Sequence, residues 1–296
     1  MKNSIAGLEE MIKRHAEKYE GMPIALSGGI DSGLLAYFIK PEFAISVKLP
    51  EGEKYDEIKY SKIVCEHLGI KHVIVETDDT KWDEYMSIAV KAIGRPIPHF
   101  NIFPLFFMYQ KLAKMGVKEV VLGDGPDETM CGYARDLIFN YLYKIYDFEA
   151  FENYKPLIDK LLLSKKATIS LMIDKNTELE DISKVDVEEM RKDMDDMSNS
   201  IARYFGITNY RPYQDNKEID DYMLNLPIED KIKDVEFGKY ALRKIASYYL
   251  PHEIAWRKKK VGGPVYPVNI MRNWDKVDGE FGKKTYLSYQ KECLKK

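Results

Sequence analysis

The chain has few cysteines, little net charge and no long apolar run, and each shortage excludes a class of protein. Three cysteines in 296 residues, Cys65, Cys131 and Cys293, with no C-x-x-C pair, exclude a disulfide framework and a structural zinc site and point to a reducing, cytoplasmic setting. A formal net charge of −3 supplies no general electrostatic drive toward nucleic acid, so none is expected as a partner. No apolar stretch is long enough to span a membrane, and Met1 to Glu20 mixes charges with apolar residues where a secretory signal would have an apolar core. None of the five histidines stands at metal-ligand spacing. A Walker-type phosphate loop is missing too, because Gly282-Lys283-Lys284-Thr285 lacks the upstream glycine. What remains is 45% hydrophobic and 31% charged, enough apolar material for a sizeable core.

The most informative stretch that is present runs Ala25-Leu26-Ser27-Gly28-Gly29-Ile30-Asp31-Ser32-Gly33. An apolar run opened by Pro23 precedes it and Leu34 to Ile39 follow, so the glycines fall where a strand turns sharply into a helix. Adjacent glycines let the backbone approach a ligand without a Cβ clash. The N–H groups and dipole of the following helix favour an anion there, most naturally phosphate. Asp31 is placed to hold a metal ion against such phosphates, with Ser27 and Ser32 as hydroxyl donors.

Around this loop the apolar pattern predicts strands at 23–27, 43–47, 72–75 and 119–122. They alternate with helices at 32–40, 56–68, 80–93 and 102–115, after an amphipathic helix over about 4–20. Such alternation predicts an α/β fold with a doubly wound parallel sheet, whose ligand lies beyond the carboxyl ends of the strands. The α/β core is expected over 1–134, a mostly helical C-terminal portion completing the site over 135–270, and a polar tail over 271–296. A second loop, Leu122-Gly123-Asp124-Gly125-Pro126-Asp127-Glu128, carries three acids in five residues after a buried strand. Standing alone, it would be read as helix N-capping. Beside a phosphate cradle at the same sheet edge, its carboxylates can share a Mg²⁺ with phosphate oxygens, and Asp31 with Asp127 is the expected metal pair.

The spacing Ser27-Gly28-Gly29-Ile30-Asp31-Ser32 resembles the PP-loop of the ATP pyrophosphatases. Three further blocks stand in order: Gly123-Asp124-Gly125-Pro126-Asp127-Glu128 with Gly132-Tyr133, then Pro212-Tyr213-Gln214-Asp215, then Tyr240-Ala241-Leu242-Arg243-Lys244 with Leu250 to Lys259. Together, over about 22–261, they resemble the synthetase domain of asparagine synthetases and their β-lactam synthetase relatives. The resemblance implies an adenine-nucleotide α-hydrolase-like fold with ATP and Mg²⁺ as cofactors. It implies ATP contacts at Leu26, Ser27, Gly28, Gly29, Asp31, Ser32, Val47 and Gly123, with Leu26 and Val47 bordering adenine. Asp31 and Asp127 match the magnesium ligands, Lys259 the catalytic lysine near the phosphates, and Asp124 a glutamate associated with the attacking amine's proton. The implied reaction adenylates a carboxylate, releases pyrophosphate and passes the acyl group to ammonia or another amine, leaving AMP.

Departures from the family cluster where the acceptor would be recognised. Leu122 replaces a serine, Thr129-Met130-Cys131 an apolar pair and a glycine, Tyr210 the arginine before Pro212, and Val261-Gly262-Gly263-Pro264 the usual loop after the lysine. With Lys2 as second residue and the synthetase loop beginning at Ser27, no N-terminal glutaminase is expected. The amine then comes from solution, from a substrate, or from a separate glutaminase or biosynthetic partner. Two other readings stay open: a tRNA-modifying PP-loop enzyme, which the acidic balance and absent C-x-x-C disfavour, and a non-catalytic nucleotide-binding subunit.

Overall fold

The computed structural model describes residues 4–48, 58–78, 82–97, 102–133, 136, 183–184, 186–234, 236–258 and 290–295. Helix α1 (Ile5–Ala16) is capped by Ser4, whose Oγ accepts from the Gly7 N–H. Then come β1 (Ile24–Ala25), α2 (Ile30–Ile39), β2 (Ala44–Lys48), α3 (Ile58–Leu68), β3 (His72–Glu76), α4 (Trp82–Ile93), α5 (Ile102–Lys114), β4 (Glu119–Val121) and the short α6 (Pro126–Thr129). A π-helical turn (Asp186–Arg191) runs into α7 (Lys192–Tyr204), followed by β5 (Thr208–Tyr210), α8 (Lys217–Leu224), α9 (Ile228–Lys231), the hairpin β6 (Ile232–Asp234) and β7 (Phe237–Gly238), α10 (Tyr240–Tyr249) and α11 (His252–Ala255). No helix among these residues is long and apolar enough to cross a membrane.

Five strands form one parallel sheet in the order β3-β2-β1-β4-β5. Alternation along the strands sends successive side chains to opposite faces, and each face has its own helices. Ile24, Leu26, Ala44 and Val121 enter one core with Leu8 and Ile12 of α1, Leu34 and Leu35 of α2, and Leu242 and Ile245 of α10. Ile45, Val120 and Leu122 enter the other, with Met86 and Val90 of α4, Phe106 and Leu112 of α5, and Met197 and Ile201 of α7. Burial on both faces explains why successive residues such as Ala44 and Ile45, or Val120 and Val121, are apolar rather than alternating with polar ones. This is the doubly wound α/β arrangement expected from the sequence.

Strand order reverses between β1 and β4, and at such a switch point the two flanking connections leave in opposite directions and open a crevice beyond the strand ends. Here the crevice receives Ser27-Gly28-Gly29 from β1 and Gly123-Asp124-Gly125 from β4. Helix α2 begins at Ile30, two residues earlier than the pattern predicts, which puts Asp31 inside its first turn. Strand β5 was not anticipated. Thr208-Asn209-Tyr210 has no apolar run, and its strand state depends on pairing with β4, where Leu122 N–H donates to the Tyr210 carbonyl at 2.8 Å. Residues 290–295, within the stretch read as a polar tail, include a helical segment with Gln290 and Cys293 buried. All three cysteines are buried, and none forms a disulfide among the described residues.

Candidate active site

The turn after β1 is shaped by its neighbours. Gly28 has φ of +75°, and a Cβ there would lie 2.5 Å from the Ser61 amide nitrogen and 2.7 Å from Tyr60 Cβ. Only glycine fits both the left-handed backbone and that approach. Ser27 and Ser32 stabilise the turn from within: Ser27 N–H donates to Ser32 Oγ at 3.2 Å, the two hydroxyls lie 3.1 Å apart, and Gly29 N–H donates to Ser27 Oγ at 3.2 Å. Gly29 is the N-cap of α2 and offers no side chain to its first turn, and an uncapped helix N-terminus is the kind of place where an anion can bind. Gly123 packs directly on it, since a Cβ there would fall 2.8 Å from the Ser32 amide nitrogen.

Leu26 directly follows β1, and Val47 stands one residue before the end of the adjacent β2. Leu26 is buried, and its carbonyl accepts from Ser46 Oγ at 2.6 Å, while His72 Nε2 lies 2.8 Å from the same hydroxyl. Burial, aided by Lys62, holds the His72 pKa below its ordinary value.

Asp31 and Asp127 come from different helices and meet at one atom. Lys239 Nζ lies 2.6 Å from Asp31 Oδ2 and 2.8 Å from Asp127 Oδ1. Burial by itself would depress this lysine's pKa, but Asp127 and Asp31 outweigh it and hold the ammonium above its ordinary range. The lysine is anchored at its backbone, with φ of +54° and its N–H donating to the Met130 carbonyl at 3.0 Å. Sequence reasoning missed it. Lys239 stands one residue before the Tyr240 block, and no periodicity marks a lone lysine at the start of a helix.

The acidic loop is held from beneath by two buried arginines. Arg191 donates through one nitrogen to both Asp220 oxygens at 2.8 Å, and through the other to the Gly125 carbonyl at 3.1 Å. Arg211 Nε lies 3.2 Å from Asp124 Oδ2 and 3.2 Å from Asp195 Oδ1, and its other nitrogens reach Asn199 Oδ1 at 2.9 Å and Ser198 Oγ at 3.3 Å. Thus, one residue beyond Tyr210, where the resemblance implies an arginine, the Arg211 guanidinium underlies the loop. Asp124 itself is exposed above it. Burial, reinforced by Asp127, pushes the Glu128 carboxyl up to about 7, and the Tyr133 hydroxyl donates to it. Tyr213, fully buried, donates its hydroxyl to the Asp31 carbonyl at 3.1 Å and braces the start of α2.

Lys259 lies outside the described residues. The chain leading to it is well held: Arg243 donates to the Gly238 carbonyl at 2.8 Å, to Ala255 at 2.9 Å and to Arg257 at 3.1 Å. The Arg257 guanidinium sits 4.2 Å over the Tyr60 ring, and Tyr60 is the residue packed against Gly28. Those contacts bring Arg257 beside the β1 turn. Lys258 instead faces outward and pairs with Glu236 at 2.7 Å.

A divalent cation fits this geometry. Mg²⁺ is commonly held by one or two carboxylates with substrate phosphates completing its shell, and here two carboxylates already converge on a single cationic atom. Among the described residues no group of three or more His, Cys, Asp or Glu could hold a metal, so phosphate oxygens would have to supply the rest.

Comparison with known proteins agrees with this arrangement. The chain is 23% identical over 277 residues to asparagine synthetase B (glutamine-hydrolyzing) of Escherichia coli strain K12, covering 86% of this chain and 43% of that protein. It is 28% identical over 131 residues to asparagine synthetase 1 (glutamine-hydrolyzing) of Lotus japonicus, covering 37% of this chain and 21% of that protein. The chain therefore spans less than half the length of these curated relatives. A family model described as asparagine synthase matches residues 6–277, and with two loops, a switch-point crevice and that extent of match in agreement, the chain belongs to the asparagine synthase family.

Proposed function

We propose that the chain is an ATP-dependent, AMP-forming amide synthetase: it adenylates a carboxylate with release of pyrophosphate, then transfers the acyl group to ammonia or another amine. The observation that carries the reading is the convergence of Asp31 and Asp127 on one cation-binding point beside an N-terminal helix turn at the sheet's switch point. When bound there, Mg²⁺ would neutralise charge on the departing pyrophosphate. Ser27, Ser32 and the start of α2 orient the phosphates, and Leu26 with Val47 borders the base. Lys259 adds a positive group near the reacting phosphorus. Asp124, exposed above Arg211, accepts a hydrogen bond from the incoming amine in this reading.

Exchange of labelled pyrophosphate into ATP, dependent on a carboxylate, tests this reading. Wild-type protein should catalyse exchange, and Asp31→Asn or Asp127→Asn should each lower it by about 10²-fold or more, the scale of losing one electrostatic contact in a transition state. Stoichiometric ADP and phosphate as products would overturn it. Mass spectrometry of products formed from aspartate with ammonium, and separately with glutamine, identifies the nitrogen donor.

A further inference from the structure

Two carboxylates held close together in a poorly solvated crevice repel each other, and each disfavours ionisation of the other. Something must therefore keep Asp31 and Asp127 charged and in register when no ligand is present. We propose that Lys239 is the site's resident counter-cation: it occupies the divalent-cation position in the nucleotide-free protein and gives up at least one carboxylate when a metal and polyphosphate bind. The inference rests on the reading of Asp31 and Asp127 as the metal pair.

Geometry makes Lys239 specific for this position. Its Nζ touches both carboxylates, at 2.6 Å and 2.8 Å, and its side chain is only 6% exposed. Its backbone is fixed in the left-handed region by the bond to Met130, a conformation that lysine adopts only when its surroundings require it. Space for the stem exists because residue 132 is glycine: a Cβ there would come within 2.3 Å of Lys239 Cε.

The charge balance supplies the switch. The two carboxylates are faced by the Lys239 ammonium in direct contact and interact electrostatically with the buried Arg243 guanidinium as well. A bound dication makes this cluster two charges more positive and so strengthens its attraction for polyphosphate. Lys239, once released from a carboxylate, stays within side-chain reach of a phosphate oxygen next to the metal. Nucleotide without metal should therefore bind more weakly than with it, and metal without nucleotide must compete with Lys239.

Thermal unfolding without nucleotide provides a readout independent of turnover. In EDTA, Lys239→Met should melt below wild type, because removing one partner of a buried pair leaves the other charges uncompensated. Millimolar Mg²⁺ should then raise the melting temperature of Lys239→Met by more than that of wild type. Equal responses to Mg²⁺, or no loss of stability in EDTA, would overturn the proposal. If Lys239→Met does not fold, the Asp127→Asn/Lys239→Met double variant decides, since it removes one charge of each sign. The proposal expects it to fold; failure to fold would make Lys239 a packing residue and overturn the proposal. Wild-type pyrophosphate exchange separates the two readings. Exchange without the Mg²⁺ gain in Lys239→Met sinks this inference alone, whereas the gain without exchange upholds the cation switch and sinks the synthetase assignment.

Discussion

At residue 132 the space for a side chain is already taken. A Cβ on Gly132 would fall 2.1 Å from Asp127 Oδ1, 2.3 Å from Lys239 Cε and 2.7 Å from Asp127 Cα, and the last of these is backbone that cannot swing aside. Gly132→Ala should therefore spread the Asp127–Lys239 pair and displace the cation point. The expected outcome is a loss of about 1–3 kcal/mol in stability, the usual cost of overpacking, with pyrophosphate exchange falling by an order of magnitude or more. Gly69 is the control, because a Cβ there meets nothing within 4 Å although its φ is +68°. Gly69→Ala should cost roughly 1 kcal/mol in backbone strain and leave exchange intact. Urea titration and exchange on the same two preparations check both.

At the scale of elements, α7 is the arm that supports the acidic loop. Asp195, Ser198 and Asn199 are spaced three and four residues apart, so they share one face, and all three contact Arg211 in the turn after β5. Burial pushes the Asp195 carboxyl up to about 6; the attraction of Arg211 opposes this and the charge of Asp124 adds to it. A carboxyl whose pKa rises on folding stabilises the folded state fully below its unfolded pKa, near 3.8, and loses that contribution as pH climbs through the folded value. Wild type should thus carry a component, on the order of 1 kcal/mol or more, that favours pH 4.5 over pH 7.5. In Asp195→Asn that component disappears, so stability at pH 7.5 relative to pH 4.5 should rise. Urea unfolding at both pH values measures it, and an unchanged difference would show that Asp195 does not titrate in this range.

For the whole molecule, the last described residues matter more than their polar sequence suggests. Gln290 is fully buried, accepting from the Ile97 N–H and donating to the Ile97 carbonyl at 3.2 Å. Nearby, Cys293 enters the core shared by α4, α5 and α7. Arg95, two residues before Ile97, pairs with Asp193 of α7 at 2.5 Å. The end of the chain, the segment after α4 and the arm beneath the acidic loop are thereby joined on one face of the sheet. Gln290→Ala leaves two buried backbone groups at Ile97 without their partner, which should cost about 1–3 kcal/mol. A lowered melting temperature with wild-type exchange at 20 °C is the expected result.

How much of this was legible in the residues depends on how far apart the interacting parts lie. The turn at Ser27-Gly28-Gly29, the strands that pair in the sheet's centre and the helices between them follow from local patterns: an apolar run, a glycine pair, a 3.6-residue period. So does the placing of Gly123 to Asp127 at the same sheet edge, because a parallel sheet puts all its carboxyl ends on one side. Asp31 and Asp127 could be paired on that ground, and the structure brings them together. Strand β5 could not be read, since Thr208 to Tyr210 carry no apolar signal and become a strand only by hydrogen bonding to β4. The same holds for Arg211 beneath Asp124 and for Gln290 against Ile97. Lys239 is the clearest case: it meets Asp31 across 208 positions of sequence. A charge pair of that span leaves no periodicity and no composition shift, so only the folded chain, by burying the lysine between two carboxylates, decides that it belongs to the site.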